Sequence, residues 1–340
     1  VSEPILKVEE LSKVFQSSSS KLNPLAQPQK VMAVDSVSFD LMAGETLALV
    51  GESGCGKSTM GRLILRLLEA SEGRVLFKGQ DIGTLNAHQM RALRSDMQMV
   101  FQDPYGSLNP RMTVGQIISE PMMASSRSFS KSDRRDRAHD LLKRVGLPPE
   151  AIERFPRQFS GGQRQRIGIA RAIALNPSFI VADEPVSALD VSIQAQIVNL
   201  LQDLQDELGV SYVFISHDLS IVRHIADRIA VMYLGRIVEM GTRDEVFESP
   251  RHPYTEALMS ATPSHQAAEQ QERIVLRGDV PSPTAIPSGC SFRTRCPLAQ
   301  PICATERPPL VGRDGSHAVA CHFARPFPVR ASGWKAEANQ

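Results

Sequence analysis

The sequence predicts a layered α/β protein that carries a small, irregular C-terminal domain. Three observations support this. An apolar, β-like run at Thr46–Val50 leads into a glycine loop that opens a helix-like segment. Strand-like and helix-like segments then alternate to about Met240. After about Glu248 proline becomes frequent, and four of the five cysteines fall between Cys290 and Cys321.

The loop consists of Gly51, Glu52, Ser53, Gly54, Cys55, Gly56, Lys57, Ser58 and Thr59. It reads G-x-x-x-x-G-K-S, a phosphate-binding P-loop. Glycines let the backbone fold around an anion so that several N–H groups point at it. The helix start adds partial positive charge. Lys57 is expected to reach the β/γ-phosphates of a nucleoside triphosphate, and Ser58 to hold Mg²⁺. A glycine turn with a chance lysine would lack the flanking strand and helix.

The remaining elements follow in order. Residues 17–30 are polar and rich in Ser, Pro and Gln, and read as a loop inserted near the start of a domain. Strands are predicted at Ser36–Leu41 and Thr46–Val50, and a helix at Met60–Leu68. Asp133–Val145 places Ala138, Leu141, Leu142 and Val145 on one helical face, ending at Gly146. Gln163–Leu175 reads as a helix stopped by Asn176-Pro177, and Phe179–Ala182 as a short strand. Val191–Leu208 sets Ile193, Ile197, Leu200, Leu201, Leu204 and Leu208 at helical intervals, with Gly209 as the stop. Val210–Ile215 reads as a buried strand. Arg228–Tyr233 and Arg236–Met240, joined across Leu234-Gly235, read as a hairpin.

Composition narrows the function. A length of 340 residues suits one large or two modest domains. A net charge of +1 offers no basic field for nucleic acid. No apolar stretch is long enough to span a membrane, and the acidic N-terminus lacks the apolar core of a secretory signal. A cytosolic protein is expected, with its cysteines reduced or bound to metal instead of paired in disulfides. There is one P-loop and no internal repeat, so one nucleotide domain is expected.

Further residues extend the site. The strand at Phe179–Ala182 ends in Asp183 and Glu184. A carboxylate there can bind Mg²⁺, a role that fits Asp183, while Glu184 can polarise the water that attacks the γ-phosphate. Phe159, Ser160, Gly161, Gly162 and Gln163 form a second glycine loop that feeds a helix start, and so a second phosphate site. Alone, Ser-Gly-Gly is a common turn. One chain has no need of two such sites, whereas two chains facing head-to-tail would each complete the other's.

Taken in order, Gly51–Thr59, Gln102, Phe159–Gln163, Asp183-Glu184, Ser187–Asp190 and His217 resemble the motifs of an ABC-type ATPase. They look like the Walker A loop, Q-loop glutamine, signature motif, Walker B pair, D-loop and switch histidine. The resemblance covers about 5–248, and departs at Phe159, where the family usually has Leu. It implies a P-loop NTPase core with an antiparallel β subdomain and a helical subdomain. It also implies that Gln102 senses Mg²⁺ or water and couples to the membrane partner, that His217 contacts the γ-phosphate, and that Phe15 stacks on adenine. Phe15 lies farther from Lys57 than is usual, by about the length of the 17–30 insertion.

The segment Gln102–Gln116, together with His252–Leu258 and Gly278–Pro283, resembles the ATPases of oligopeptide and dipeptide importers. The implied organisation is an ATPase domain at 5–255 and a transporter extension at 256–330. The chain most resembles the second of two paralogous ATPases that pair as a heterodimer, a homodimer being the lesser alternative. Implied partners are two membrane permeases and, indirectly, an extracytoplasmic solute-binding protein, with the chain peripheral on the cytoplasmic face of the membrane. The alternatives are a soluble ABC-type ATPase acting on ribosomes or DNA, or an importer of nickel chelates, glutathione or opines. One P-loop and the absence of heptads weigh against the soluble class.

Cys290, Cys296, Cys303 and Cys321 are separated by five, six and seventeen residues. Thiolates cluster when they share a metal. No short C-x2-4-C knuckle favours zinc, and iron–sulfur clusters accept more varied spacing. The extension resembles one proposed to hold a [4Fe–4S] cluster in peptide importers, with Zn²⁺ and unliganded thiols as alternatives. Arg293 and Arg295 flank Cys296 and are expected to offset the cluster's negative charge, or else to be solvated. Cys55, inside the P-loop, is not expected to be a ligand.

Overall fold

The computed structural model describes residues 3–16, 30–261, 274–313 and 317–324. The expected insertion lies outside them except for Lys30, as does the end of the expected extension beyond residue 324. The strands are β1 (Leu6–Gln16), β2 (Lys30–Leu41), β3 (Thr46–Val50), β4 (Glu72–Phe77), β5 (Gln80–Asp81), β6 (Met97–Val100), β7 (Phe179–Asp183), β8 (Ser211–Ser216), β9 (Arg228–Tyr233), β10 (Arg236–Thr242), β11 (Val311–Arg313) and β12 (His317–Val319). They form two sheets, one of order β2-β1-β4-β5 and one of order β11-β12-β10-β9-β3-β8-β7-β6.

The larger sheet explains the apolar runs. β3 is parallel to both β8 and β9, and β7 is parallel to β8 and β6. Strands buried on both faces read as continuous hydrophobic runs, not alternating ones. Every residue of β3, β7 and β8 is buried. The carboxyl ends of these parallel strands share one edge of the sheet, where open α/β folds place their ligands. The smaller sheet is antiparallel throughout.

Helix Lys57–Ile64 begins three residues earlier than the expected Met60. Its first three residues are polar side chains of the P-loop, so apolar spacing alone does not reveal them. Helix Gly161–Ala172 likewise starts before Gln163. Its cap is a reciprocal box: Ser160 Oγ accepts from Gln163 N–H at 3.3 Å, and Gln163 Oε1 accepts from Ser160 N–H at 3.0 Å. Helices Val114–Ala124 and Lys131–Arg144 join it in one apolar cluster through Ile117, Ile118, Leu141, Leu142, Ile167 and Ile169.

The extension packs on the core. β12 pairs with β10 (Glu239↔Val319, Met240↔Ala318) and so lengthens the main sheet. Phe292 sits edge-on to Tyr233, with ring centroids 5.2 Å apart, and tilted against Tyr254 at 5.5 Å. Such aromatic pairs add about 0.5–1.5 kcal/mol beyond their buried area. Glu239 is fully buried and satisfied. It accepts from Arg251 N–H at 2.7 Å and His252 N–H at 2.8 Å, and meets His317 Nε2 at 2.7 Å. Burial holds the His252 ring down to about 4 despite the nearby Glu239. The neutral ring accepts the Tyr254 N–H at Nδ1, 3.1 Å away.

Candidate active site

The P-loop turns between β3 and its helix. Gly51 and Gly56 have φ of +150° and +109°. A Cβ on Gly51 would lie 2.2 Å from the Met232 carbonyl oxygen, and one on Gly56 would lie 2.2 Å from that of Ala33. Both positions therefore require glycine on grounds of conformation and space. Lys57 Nζ donates to the carbonyls of Gly51 at 2.7 Å and Glu52 at 3.0 Å. The lysine is buried and folded over its own loop. The Cys55 thiol is also buried, its pKa pushed up by that burial, and is not poised to react.

At the ends of β7 and β8 the carboxylates meet their partners. Asp183 Oδ1 accepts from the Ser58 hydroxyl at 2.8 Å. Burial pushes the Asp183 carboxyl up, with Ser58 and Arg62 opposing. Glu184 has φ +44°, a left-handed conformation that costs a non-glycine residue energy. Its N–H donates to Ile215 O at 2.9 Å, and Gln102 Nε2 donates to its Oε2 at 2.8 Å. His217 Nδ1 lies 3.2 Å from its Oε1. Two side chains 115 positions apart in sequence, Gln102 and His217, thus converge on one carboxylate, which is only partly exposed. Ser58 and Asp183 supply two hard oxygen donors side by side, the chemistry that Mg²⁺ takes.

The second glycine loop packs against the turn and helix that follow Glu184. Gly162 abuts Ile193, where a Cβ would come within 2.4 Å, and Gly161 abuts Leu189. Ser160 and Gln163 are exposed at the start of their helix, beside the equally exposed Asp190 and Val191. Phe15 is partly exposed near the end of β1, opposite Val31 and with Lys13 Nζ 5.4 Å from its ring centroid.

The extension brings C-terminal cysteines near one another: the Cys290 N–H donates to Cys303 O at 2.8 Å, and Cys290 and Cys296 pack against one apolar cluster. Burial pushes Cys290, Cys296 and Cys321 up, Cys296 to about 12, so these are neutral thiols. Yet among the described residues no three or more Cys, His, Asp or Glu side chains are arranged to hold a metal ion. Cys290, Cys296, Cys303 and Cys321 are neighbours without forming a closed ligand set. The arginines also divide. Arg293 lowers the Cys290 pKa as a counter-charge, but Arg295 turns away to Glu52. Its Nη1 and Nη2 donate to Oε2 and Oε1 at 2.7 and 3.0 Å. Sequence reasoning missed this pair, and also missed the Glu52 N–H donating to Tyr254 Oη at 2.8 Å.

A strand-end P-loop whose serine meets an aspartate at the end of another parallel strand of the sheet defines a P-loop nucleotide-binding protein. Comparison with known proteins places it more narrowly. The ABC transporter family model matches residues 34–187, and that of the oligopeptide/dipeptide transporter C-terminal region matches 238–303. The chain is 54% identical over 326 residues to a probable peptide ABC transporter ATP-binding protein, y4tS, of Sinorhizobium fredii, covering 96% of this chain and 92% of that one. It is 53% identical to the oligopeptide transport ATP-binding protein OppF of Salmonella typhimurium, covering 93% and 95%. It is 52% identical to AppF of Bacillus subtilis, of the same description, covering 94% and 98%. Among solved structures, the dimeric ATP-binding cassette MJ0796 in a post-hydrolysis state with ADP and Pi superposes with a TM-score of 0.62 at 30% identity, covering 70% of this chain and 98% of that one. The chain belongs to the ATP-binding proteins of ABC transporters and carries the oligopeptide/dipeptide transporter C-terminal region. Among the described residues no helix is long and apolar enough to cross a membrane.

Proposed function

We propose that this chain is the ATP-hydrolysing subunit of an importer of di- and oligopeptides, peripheral on the cytoplasmic face of the membrane. The observation that carries the catalytic part is the convergence of Gln102 and His217 on Glu184, beside the Ser58–Asp183 pair. Support for the cargo comes from the relatives' descriptions and the matching C-terminal region. The ATPase domain would span 5–255 and the transporter extension 256–330. The chain would work with a paralogous ATPase, two permeases and a solute-binding protein.

In this reading Lys57 exchanges its loop carbonyls for the β/γ-phosphates, and the N–H groups of Gly51–Thr59 surround them. Ser58, Asp183 and Gln102 would hold Mg²⁺, which would offset the phosphate charge when bound. Glu184 takes a proton from the attacking water, and Gln102 and His217 hold its carboxylate in place. His217 also reaches the γ-phosphate, and Phe15 stacks on adenine. Ser160, Gly161, Gly162 and Gln163 complete the partner chain's site. Their exposure, next to Asp190 and Val191, suits a surface that meets another chain.

The test is uptake of labelled peptide into vesicles that carry the permeases and both ATPases, with binding protein outside and ATP inside. Uptake that requires ATP and is lost with Lys57→Ala is expected. Hydrolysis that continues unchanged by permeases, binding protein and peptide would contradict the transport reading.

We further propose a [4Fe–4S] cluster on Cys290, Cys296, Cys303 and Cys321, with Zn²⁺ as the competing occupant. The Cys290 N–H donating to Cys303 O at 2.8 Å, and the packing of Cys290 and Cys296 against one apolar cluster, support a shared site. No ligand set is preformed among the described residues, so loading would have to draw the thiols together. Iron and acid-labile sulfide in anaerobically purified chain are expected. Zinc alone, at about one per chain, would exclude the cluster.

A further inference from the structure

Glu52 places a carboxylate at the second position of an anion-binding loop. Unopposed, it would repel a triphosphate held a few ångströms away. Arg295 reaches it from 243 residues downstream and engages both carboxylate oxygens. Its side chain is only 7% exposed, and its guanidinium lies 6.0 Å from the centroid of the Tyr233 ring. The same P-loop residue is held a second time, by its N–H to Tyr254 Oη at 2.8 Å. Tyr233, Tyr254 and Phe292 form one aromatic cluster beneath this pair. Arg295 of the extension thus grips the P-loop by charge at the residue whose backbone Tyr254 already holds.

We propose that Arg295 is a positioning residue for ATP binding: it cancels the Glu52 charge and fixes the first turn of the P-loop, so that a docked extension sets the affinity for the nucleotide. This rests on the reading of Gly51–Thr59 as the ATP site. A clamp that only fastened the extension to the core would involve the same contacts. The two roles separate when the Glu52 charge is removed. Charge cancellation is then unnecessary, while a lost fastening stays lost.

The experiment measures Mg-ATP dissociation constants on the full chain. Arg295→Gln is expected to weaken binding by about fivefold or more at low salt, and by less at high salt. The double variant Glu52→Gln/Arg295→Gln is expected to recover most of that loss. Arg295→Lys keeps the charge without the two-pronged geometry and is expected to stay within about twofold of the wild type. The Lys substitution decides the matter if Arg295→Gln does not fold. Unchanged affinity in Arg295→Gln, a double variant no tighter than the single, or an Arg295→Lys loss above fivefold would each overturn the proposal. Lys57→Ala is the separate control. If it binds Mg-ATP as the wild type does, the P-loop reading itself fails, whatever Arg295 does.

Discussion

Asp183 sits buried at the end of β7 with its carboxyl pushed up by that burial. A folded pKa above the unfolded one means that ionising this group costs stability. The contribution favouring the fold is complete below the unfolded value and is lost as pH rises through the folded value. In its ionised form Asp183 lowers the stability of the fold, a cost that a cation beside it would offset. Asp183→Asn keeps an Oδ1 acceptor for Ser58 and removes the charge. The metal-free variant is expected to melt higher than the wild type at neutral pH, by roughly 2–4 °C for each kcal/mol gained. The advantage should shrink as pH falls towards the ordinary carboxylate pKa of about 4. Mg²⁺-dependent hydrolysis should be lost. Thermal melts across that pH range check it, and a variant that melts lower at neutral pH would contradict the sign. Lys57, Ser58 and Asp183 were legible in the sequence because the chemistry fixes their spacing or their strand-end position. The Glu52–Arg295 pair was not. Nothing local links residues 243 positions apart, and an arginine beside a cysteine reads first as that cysteine's counter-charge.

Among the elements, those with an uninterrupted periodic face were read well. Val191–Leu208 and Arg228–Tyr233 occupy the expected spans, and Gly209 ends the first of them. The starts of Lys57–Ile64 and Gly161–Ala172 were read late, because both open on polar or glycine residues chosen by phosphate binding and capping, not by burial. Helix Val114–Ala124 went unread. It contains Pro121 and overlaps a segment that carries family-specific residues, so its capping box at Thr113 and Gln116 was the better signal. The strands β11 and β12 have three residues each. Elements so short carry no period, and pairing with β11 on one side and β10 on the other makes β12 a strand. The same pairing brings His317 onto the buried Glu239, so the extension is tied to the core by a polar anchor as well as by the Phe292 cluster.

Across the whole molecule, the parallel strands of one sheet bring Gly51–Thr59, Gln102, Asp183, Glu184 and His217 to a common edge. The helix start exposes Ser160 and Gln163 to solvent. That exposed surface is what the proposed head-to-tail pairing of two ATPase chains would use, each chain holding half of each site. The account centres on Glu184 as the base, held by Gln102 and His217 in a costly backbone conformation. The most direct test is steady-state ATP hydrolysis by Glu184→Gln in the assembled transporter, with the partner ATPase's own site silenced and Mg-ATP binding measured in parallel. A fall of about a hundredfold or more with binding retained is predicted. Undiminished hydrolysis would contradict the account.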